Sequence, residues 1–420
     1  MRYSVLTFGC RVNQADSLGF EETLGAAGAR PVSPQSADLV IVNTCSVTAS
    51  AEQGARQAVR RVARQNPSAR IVVTGCYATR DPEAVSSLPN VVRVIPNPLK
   101  PRLVPLVAEA LGLTTAERFG SGDGSCGASL EPGIAGRTAF TLRVQTGCGQ
   151  SCSYCIIPAT RGTPLSLPPD MVLQEAARVV AAGFKEIAIT GVHLGSYGRD
   201  LPPRASLSAL LARLVVAHPD TLFRISSLEP MDCTPEIVSL AAENPAIAPH
   251  FHLPLQHASR SILAAMRRPY TIQDYAALVD ELRARVPAAA IGADVIVGFP
   301  GEREEDVDEL AAYLRQSPLT HLHVFPYSDR PGTEAARLGG CASGVVVRDR
   351  ASRIREIGAD LTQRFRAAQV GSVRRALTTD DGSHVVTDNY LKLRIPPGRL
   401  RNQWIDVRVI GDGEGAPCLS

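Results

Sequence analysis

The chain has 420 residues, 45% of them hydrophobic and 20% charged, with 10 cysteines and a net charge of +3. That composition supports ordinary cores, and the length implies two or three domains. Ten cysteines are too few for a disulfide-stapled secreted scaffold, the N-terminus MRYSVLTFGCRVNQ lacks a signal-peptide pattern, and no apolar run approaches the ~20 residues that span a bilayer. A cytoplasmic protein is expected, in which thiols stay reduced and clustered cysteines bind metal or do redox chemistry.

Residues 1 to about 100 alternate the β-branched runs YSVLTF, DLVIVN, ARIVVT and VVRVIP with the helical patterns SLGFEETLGAAG and AEQGARQAVRRVARQN. Such alternation predicts a parallel sheet covered by helices, an α/β domain over 1–111. Residues 112–136 are rich in Gly, Ser and Thr without periodicity and read as a linker. Six strand candidates follow: FTLRVQ (140–145), EIAIT (186–190), LFRIS (222–226), HFHLPL (250–255), ADVIVG (293–298) and HLHVFPY (321–327). Helical patterns such as MVLQEAARVVAAG and DYAALVDELRARV fill the gaps, so 137–368 predicts a partial TIM-type (β/α)6 barrel with its site at the C-terminal ends of the strands. A helical segment, DRASRIREIGADLTQRFRAA, leads to a last domain over 369–420. Its β-rich, turn-rich words DDGS, TDNYLKLRI and WIDVRVIG fit a small antiparallel β-barrel.

Charge is uneven. Residues 341–410 hold 13 Lys/Arg against 7 Asp/Glu, a local excess that suits a polyanionic partner, although solvated helix faces account for part of it.

Two sets of three cysteines carry the chemistry. GCGQSCSYCIIPATRG places Cys148, Cys152 and Cys155 on the loop after the first barrel strand. Structural zinc closes with four ligands, whereas CxxxCxxC offers three, and three thiolates suit an iron–sulfur cluster with one open iron. His193, one strand later, is the nearest other ligand type. The second set is spread out: TFGC, VNTC and VTGC put Cys10, Cys45 and Cys76 each just past a predicted strand. One such cysteine would read as a buried structural thiol. Three at equivalent places along one sheet edge read as ligands of a second cluster. Cys126, Cys233, Cys341 and Cys418 have no such company.

The cysteine loop resembles that of the radical S-adenosylmethionine enzymes, and the two-triplet layout resembles the methylthiotransferases across nearly the whole chain. The resemblance implies two [4Fe-4S] clusters, one held by Cys148, Cys152 and Cys155 and one by Cys10, Cys45 and Cys76. It implies S-adenosyl-L-methionine cleaved to a 5′-deoxyadenosyl radical, bound near Tyr154, Gly191, His193, Glu229, Ile296 and Gly298, and a TRAM-like C-terminal domain that holds RNA. The known branches act on tRNA adenosine 37 bearing an isopentenyl or a threonylcarbamoyl group, or on a ribosomal-protein aspartate. CRVNQADS, TGVHLGSYGRDL, ISSLEP and HVFPYSDRPGT look like the threonylcarbamoyl branch, while PLQHAS looks like the ribosomal-protein branch. The expected partners are the tRNA anticodon loop, a protein reductant and a sulfur donor, with the chain a monomer. The alternative of another class is an iron–sulfur RNA-binding protein without catalysis.

For RNA contact the expected cations are Arg374, Arg375, Lys392, Arg394, Arg399 and Arg401, with Tyr390 or Trp404 as a base-stacking residue and the helix bearing Arg56, Arg60, Arg61 and Arg64 as the alternative face. A threonylcarbamoyl carboxylate demands a cationic or hydrogen-bonding pocket, for which His193, Tyr197 and Arg330 are the candidates.

Overall fold

A computed structural model describes residues 1–110, 131–132, 138–411 and 413–418. The expected linker over 112–136, apart from residues 131–132, lies outside the described residues, as does Cys126.

The N-terminal sheet holds five parallel strands: β1 (Arg2–Thr7), β2 (Arg30–Pro31), β3 (Leu39–Thr44), β4 (Arg70–Gly75) and β5 (Val91–Ile95). Their order is β2-β1-β3-β4-β5. All six side chains of β3 are buried, because helices cover both faces of the sheet. That is why this strand reads as a continuous apolar run rather than an alternating one. The helix Ala49–Gln65 turns Ala55, Ala58, Val59 and Val62 inward at helical spacing, and the Thr48 hydroxyl caps it by accepting from Ala51 N at 3.2 Å. The two-residue β2 was too short to leave a pattern in the sequence. From β1 the chain steps to β2 on one side and then crosses to β3 on the other, which opens a crevice beyond the C-terminal ends of β1 and β3.

The central domain contains β6 (Phe140–Arg143), β7 (Gln145–Thr146), β8 (Leu165–Ser166), β9 (Glu186–Thr190), β10 (Leu222–Ile225), β11 (His250–His252), β12 (Ala290–Val297) and β13 (His321–Pro326). Two parallel sheets, β10-β9-β6 and β11-β12-β13, are joined by the bridges Phe223–Ile247 and Ser227–His252. Together they make a six-stranded curved wall, open between β6 and β13. HFHLPL pairs as a strand only over His250–His252, since Pro254 cannot donate to a ladder. The short antiparallel β7–β8 pair, not foreseen, fastens both ends of the cysteine loop. Ile291, Ala293, Val295 and Val297 face the outer helices, so by strand alternation Gly292, Asp294 and Ile296 face the lumen. The helix Gly344–Gln369 packs along β13, with Leu322 and Val324 against Ile354 and Ile357.

The C-terminal strands β14 (Val373–Thr379), β15 (His384–Thr387), β16 (Lys392–Arg394), β17 (Trp404–Gly411) and β18 (Glu414–Pro417) close a barrel in the order β14-β15-β16-β18-β17. It is antiparallel except for the parallel pair β16–β18. Five strands in a closed ring cannot alternate direction all the way round. In LKLRI, Leu391, Leu393 and Ile395 are buried while Lys392 and Arg394 are exposed. Among the described residues no helix is long and apolar enough to cross a membrane.

Candidate functional site

Cys10, Cys45 and Cys76 meet at the crevice beyond β1, β3 and β4. Cys10 stands immediately before the helix Arg11–Ala26, Cys45 directly follows β3, and Cys76 opens the helix Cys76–Arg80. Two glycines make the approach possible. Gly9 has φ +90°, and a Cβ there would lie 2.5 Å from Cys45 Cβ; Gly75 has φ +102°, and its Cβ would lie 2.2 Å from Thr44 O. Burial, reinforced by the neighbouring Cys10 and Cys76, pushes the Cys45 thiol up to about 11. Asn97 Nδ2 donates to Cys76 Sγ at 3.5 Å.

The second triplet lies on the loop between β7 and the helix Ile157–Arg161. Cys155 N donates to Cys152 O at 3.1 Å, and Gln150 N donates to Cys148 Sγ at 3.4 Å. Burial pushes the Cys155 thiol up to about 12. Arg268 Nη1 donates to Cys152 Sγ at 3.2 Å, and the same guanidinium pairs with Glu229. His193 Nε2 lies 2.8 Å from Asp232 Oδ2. Burial opposes a charge on this imidazole, but Asp232 and Cys148 raise it to about 9. Gly191 sits against Gln145, whose Oε1 accepts from His193 N at 2.9 Å. Tyr154 and Ile296 pack into one apolar cluster with Met266 and Phe299, and Gly298 N donates to Glu302 Oε2 at 2.7 Å. Through these contacts Glu229 and His193 reach the triplet, and Tyr154 of its loop shares an apolar cluster with Ile296.

Two buried carboxylates of the N-terminal domain dock it across the open side of the barrel. Asp16 takes Lys100 Nζ at 2.6 Å and Arg161 Nη2 at 3.4 Å, and also pairs with Arg143 of β6. Burial works against its charge, and these three cations hold it below the ordinary carboxylate range. Glu52 takes Arg80 at 2.9 Å and Arg330, beyond β13, at 3.2 Å. One pair holds the β6 edge and the other the β13 edge. Arg161 follows the barrel triplet in sequence yet faces the N-terminal thiols. Burial opposes its charge, and Cys76, Asp16 and Cys10 hold it above its ordinary range. Asn97 Nδ2, beside Cys76, also donates to Thr160 O at 2.8 Å. The two triplets thus lie on either side of one domain interface.

Among the described residues, the three-membered groups of His, Cys, Asp or Glu ligand atoms lying within 4.8 Å of one another come to one: His252, Asp294 and His323. At each site three thiols come near enough to perturb one another, and three convergent thiols fit an iron–sulfur cluster with one iron left without a protein ligand.

The sequence pattern described as uncharacterized protein family UPF0004 matches residues 2–96, and that of the radical SAM superfamily matches residues 142–314. A threonylcarbamoyladenosine tRNA methylthiotransferase of Aquifex aeolicus is 33% identical over 94% of this chain and 96% of its own. Its Bacillus subtilis counterpart is 33% identical over 92% and 88%. In fold, the chain is similar to the radical S-adenosylmethionine methyltransferase TsrM of Kitasatospora setae, with a TM-score of 0.57 at 17% identity over 80% of this chain and 73% of that one. The central domain is thus a radical S-adenosylmethionine fold. The chain belongs to the radical S-adenosylmethionine methylthiotransferase family.

Several expected residues are committed elsewhere. Tyr197 is 1% exposed and donates to Leu167 O at 2.8 Å; Arg330 donates to Ser46 O at 3.2 Å and pairs with Glu52. The Tyr197 hydroxyl and the Arg330 Nη1 are thus engaged within the protein. Tyr390 is tucked between domains, its ring centroid 4.8 Å from the Arg224 guanidinium and 4.6 Å from His250. The Trp404 ring lies 4.1 Å beneath Arg375. Arg374 pairs with Asp388 at 2.7 Å and Arg401 Nε donates to Asp380 O at 2.7 Å, while Lys392 and Arg394 stand exposed and Arg399 is half-buried. On the alternative face, Arg60, Arg61 and Arg64 are exposed and Arg56 leans on Tyr77. Asp16, Lys100, Arg161 and Arg268 were missed. Single charged residues in unremarkable words carry no signal until their partners are known.

Proposed function

We propose that this chain converts N6-threonylcarbamoyladenosine at position 37 of the tRNA anticodon loop to its 2-methylthio derivative. The observation that carries the reading is the pair of three-thiol sites on either side of one domain interface, linked through Arg161. Cys148, Cys152 and Cys155 would hold the cluster that takes S-adenosylmethionine, with Tyr154, Gly191, His193, Glu229, Ile296 and Gly298 around it; Cys10, Cys45 and Cys76 would hold the second. When bound, these groups supply radical chemistry at an unactivated C–H bond and the sulfur to be inserted there.

The protein's own part is positional. Arg268 orients Cys152 and Glu229 together, and Asp232 fixes the His193 ring. Asp16 and Glu52 tie the N-terminal domain to both open barrel edges, a covering that would shield a radical formed inside from solvent. Adenine carbon 2 offers polar catalysis no leaving group, which is why such a shielded site is needed. An anticodon-loop base needs little extrusion to enter it. Exposed Lys392 and Arg394 would hold phosphates. The reading also takes the cytoplasm as the site of action, a protein reductant and a separate sulfur donor as partners, and a monomer as the working form.

Mass spectrometry of tRNA nucleosides from cells with and without the gene tests this. Deletion should remove the 2-methylthio nucleoside while its unthiolated precursor accumulates. An unchanged nucleoside, together with loss of a methylthio mass from a ribosomal protein, would overturn it.

A further inference from the structure

Below the cysteine loop, the lumen wall carries a side-chain group that the two cluster sites do not use. His252 of β11, Asp294 of β12 and His323 of β13 come from three adjacent strands, with Asp294 directly paired to His323 in register. Their outward neighbours Ile291, Ala293, Val295, Leu322 and Val324 pack among the helices, so these three polar side chains face the lumen. His252 Nε2 lies 3.0 Å and His323 Nδ1 3.2 Å from the same oxygen, Asp294 Oδ1. The two rings are inclined at 30° to one another, with centroids 5.1 Å apart. Two imidazole nitrogens are thus aimed at one point, and the three ligand atoms all lie within 4.8 Å of one another.

We propose that His252, Asp294 and His323 form a binding site for a divalent transition-metal ion of the zinc class, distinct from both cysteine triplets. An imidazole-bound zinc sits ~2.0–2.1 Å from nitrogen. An ion with such bonds would sit between the three ligand atoms, and tetrahedral coordination would space those atoms roughly 3.3 Å apart, close to the present 3.0 and 3.2 Å from Asp294 Oδ1 to the two nitrogens. Two imidazoles and one carboxylate are ligands that suit zinc, iron, nickel or copper, and calcium and magnesium prefer all-oxygen sets. Three protein ligands leave at least one coordination position open. That position turns to the lumen, because side-chain exposure rises from 13% at His252 through 26% at Asp294 to 57% at His323. The backbone supports are rigid: all three ligands stand on hydrogen-bonded strands rather than on loops. Asp294 is two residues short of Ile296, which packs beside Tyr154. The ion would therefore lie about 7 Å of strand below the level of the cysteine loop.

The test uses the full chain with both iron–sulfur clusters assembled, equilibrated with micromolar Zn2+ and dialysed. Zinc and iron per chain are measured together, and the zinc ligands are read by X-ray absorption at the zinc edge. One zinc per chain is expected, with a nitrogen/oxygen shell at ~2.0–2.1 Å, imidazole scattering and no sulfur at ~2.3 Å. His252→Ala and Asp294→Asn should each weaken zinc binding at least tenfold while iron content stays unchanged. Should either variant fold poorly, the ligand set in the unaltered protein still decides. Zinc bound only to sulfur, zinc unaffected by both substitutions, or no zinc retained would each overturn the assignment.

Discussion

Arg161 and Asp16 meet across the domain interface, Nη2 to Oδ2 at 3.4 Å, although 145 positions separate them in the chain. Arg161 closes the short helix that follows Cys155, and Asp16 stands on the helix that Cys10 immediately precedes. This buried ion pair therefore links the two elements that carry the thiol triplets. Lys100 and Arg143 face the same carboxylate, so three cations share Asp16, and the Arg161 side chain is only 3% exposed. Asp16→Asn would leave buried cations without a counter-charge. It should lower the unfolding free energy by about 3 kcal/mol, read from denaturant melts, and loosen the docking of the N-terminal domain. Undiminished stability would mean that this interface does not hold the domains.

The two triplets should separate in function. Alanine at Cys148, Cys152 or Cys155 should abolish 5′-deoxyadenosine formation under anaerobic reducing conditions. Alanine at Cys10, Cys45 or Cys76 should leave that reaction intact, lower iron by about half if both clusters hold four irons, and stop methylthiolation. Normal 5′-deoxyadenosine production by a Cys152→Ala protein would refute the assignment.

Gly9→Ala should imitate loss of the N-terminal cluster without touching a cysteine. The new methyl would stand 2.5 Å from Cys45 Cβ and 2.6 Å from its sulfur, at a φ of +90° that side chains rarely adopt. The expected phenotype is about half the iron with the barrel chemistry retained. Full iron content would show that the loop can yield.

In protein stripped of iron, thiol reactivity should follow burial. Cys155, pushed up to about 12 by burial, has its thiol form favoured throughout the neutral range. Its alkylation by iodoacetamide should rise about tenfold per pH unit between pH 7 and 10 without levelling, because only the thiolate reacts. Exposed Cys10 and Cys341 should be modified first. A plateau at Cys155 below pH 9, followed by peptide mass spectrometry, would contradict this raised thiol.

Lys392→Glu with Arg394→Glu should weaken tRNA binding. The slope of log affinity against log salt should fall by about 2, since each lost phosphate contact removes roughly one released counterion. Both side chains are exposed on β16 while their neighbours fill the barrel core, so the fold should persist. An unchanged slope would move the RNA surface to Arg60, Arg61 and Arg64 on the N-terminal helix.

The sequence by itself determined everything that depends on local periodicity. β-branched runs marked the strands, helical spacing marked Ala49–Gln65, and a cysteine placed just past β1, β3 or β4 had to reach the same sheet edge, because parallel strands end there together. CxxxCxxC was legible for the same reason: its three thiols share one loop, and no docking is needed to bring them near. The tertiary structure decided what faces what. Arg330 and Tyr197, plausible pocket residues as words, turned out to be bound to Glu52 and to Leu167 O. Tyr390, a candidate base-stacking residue, is wedged between Arg224 and His250. Arg161, Arg268 and the His252–Asp294–His323 group left no trace in the sequence, since their partners lie on other strands or in another domain. Alternation says which side of a strand a residue takes, but buried charges settle with whichever counter-charge the packing delivers, and that pairing exists only once the domains have docked.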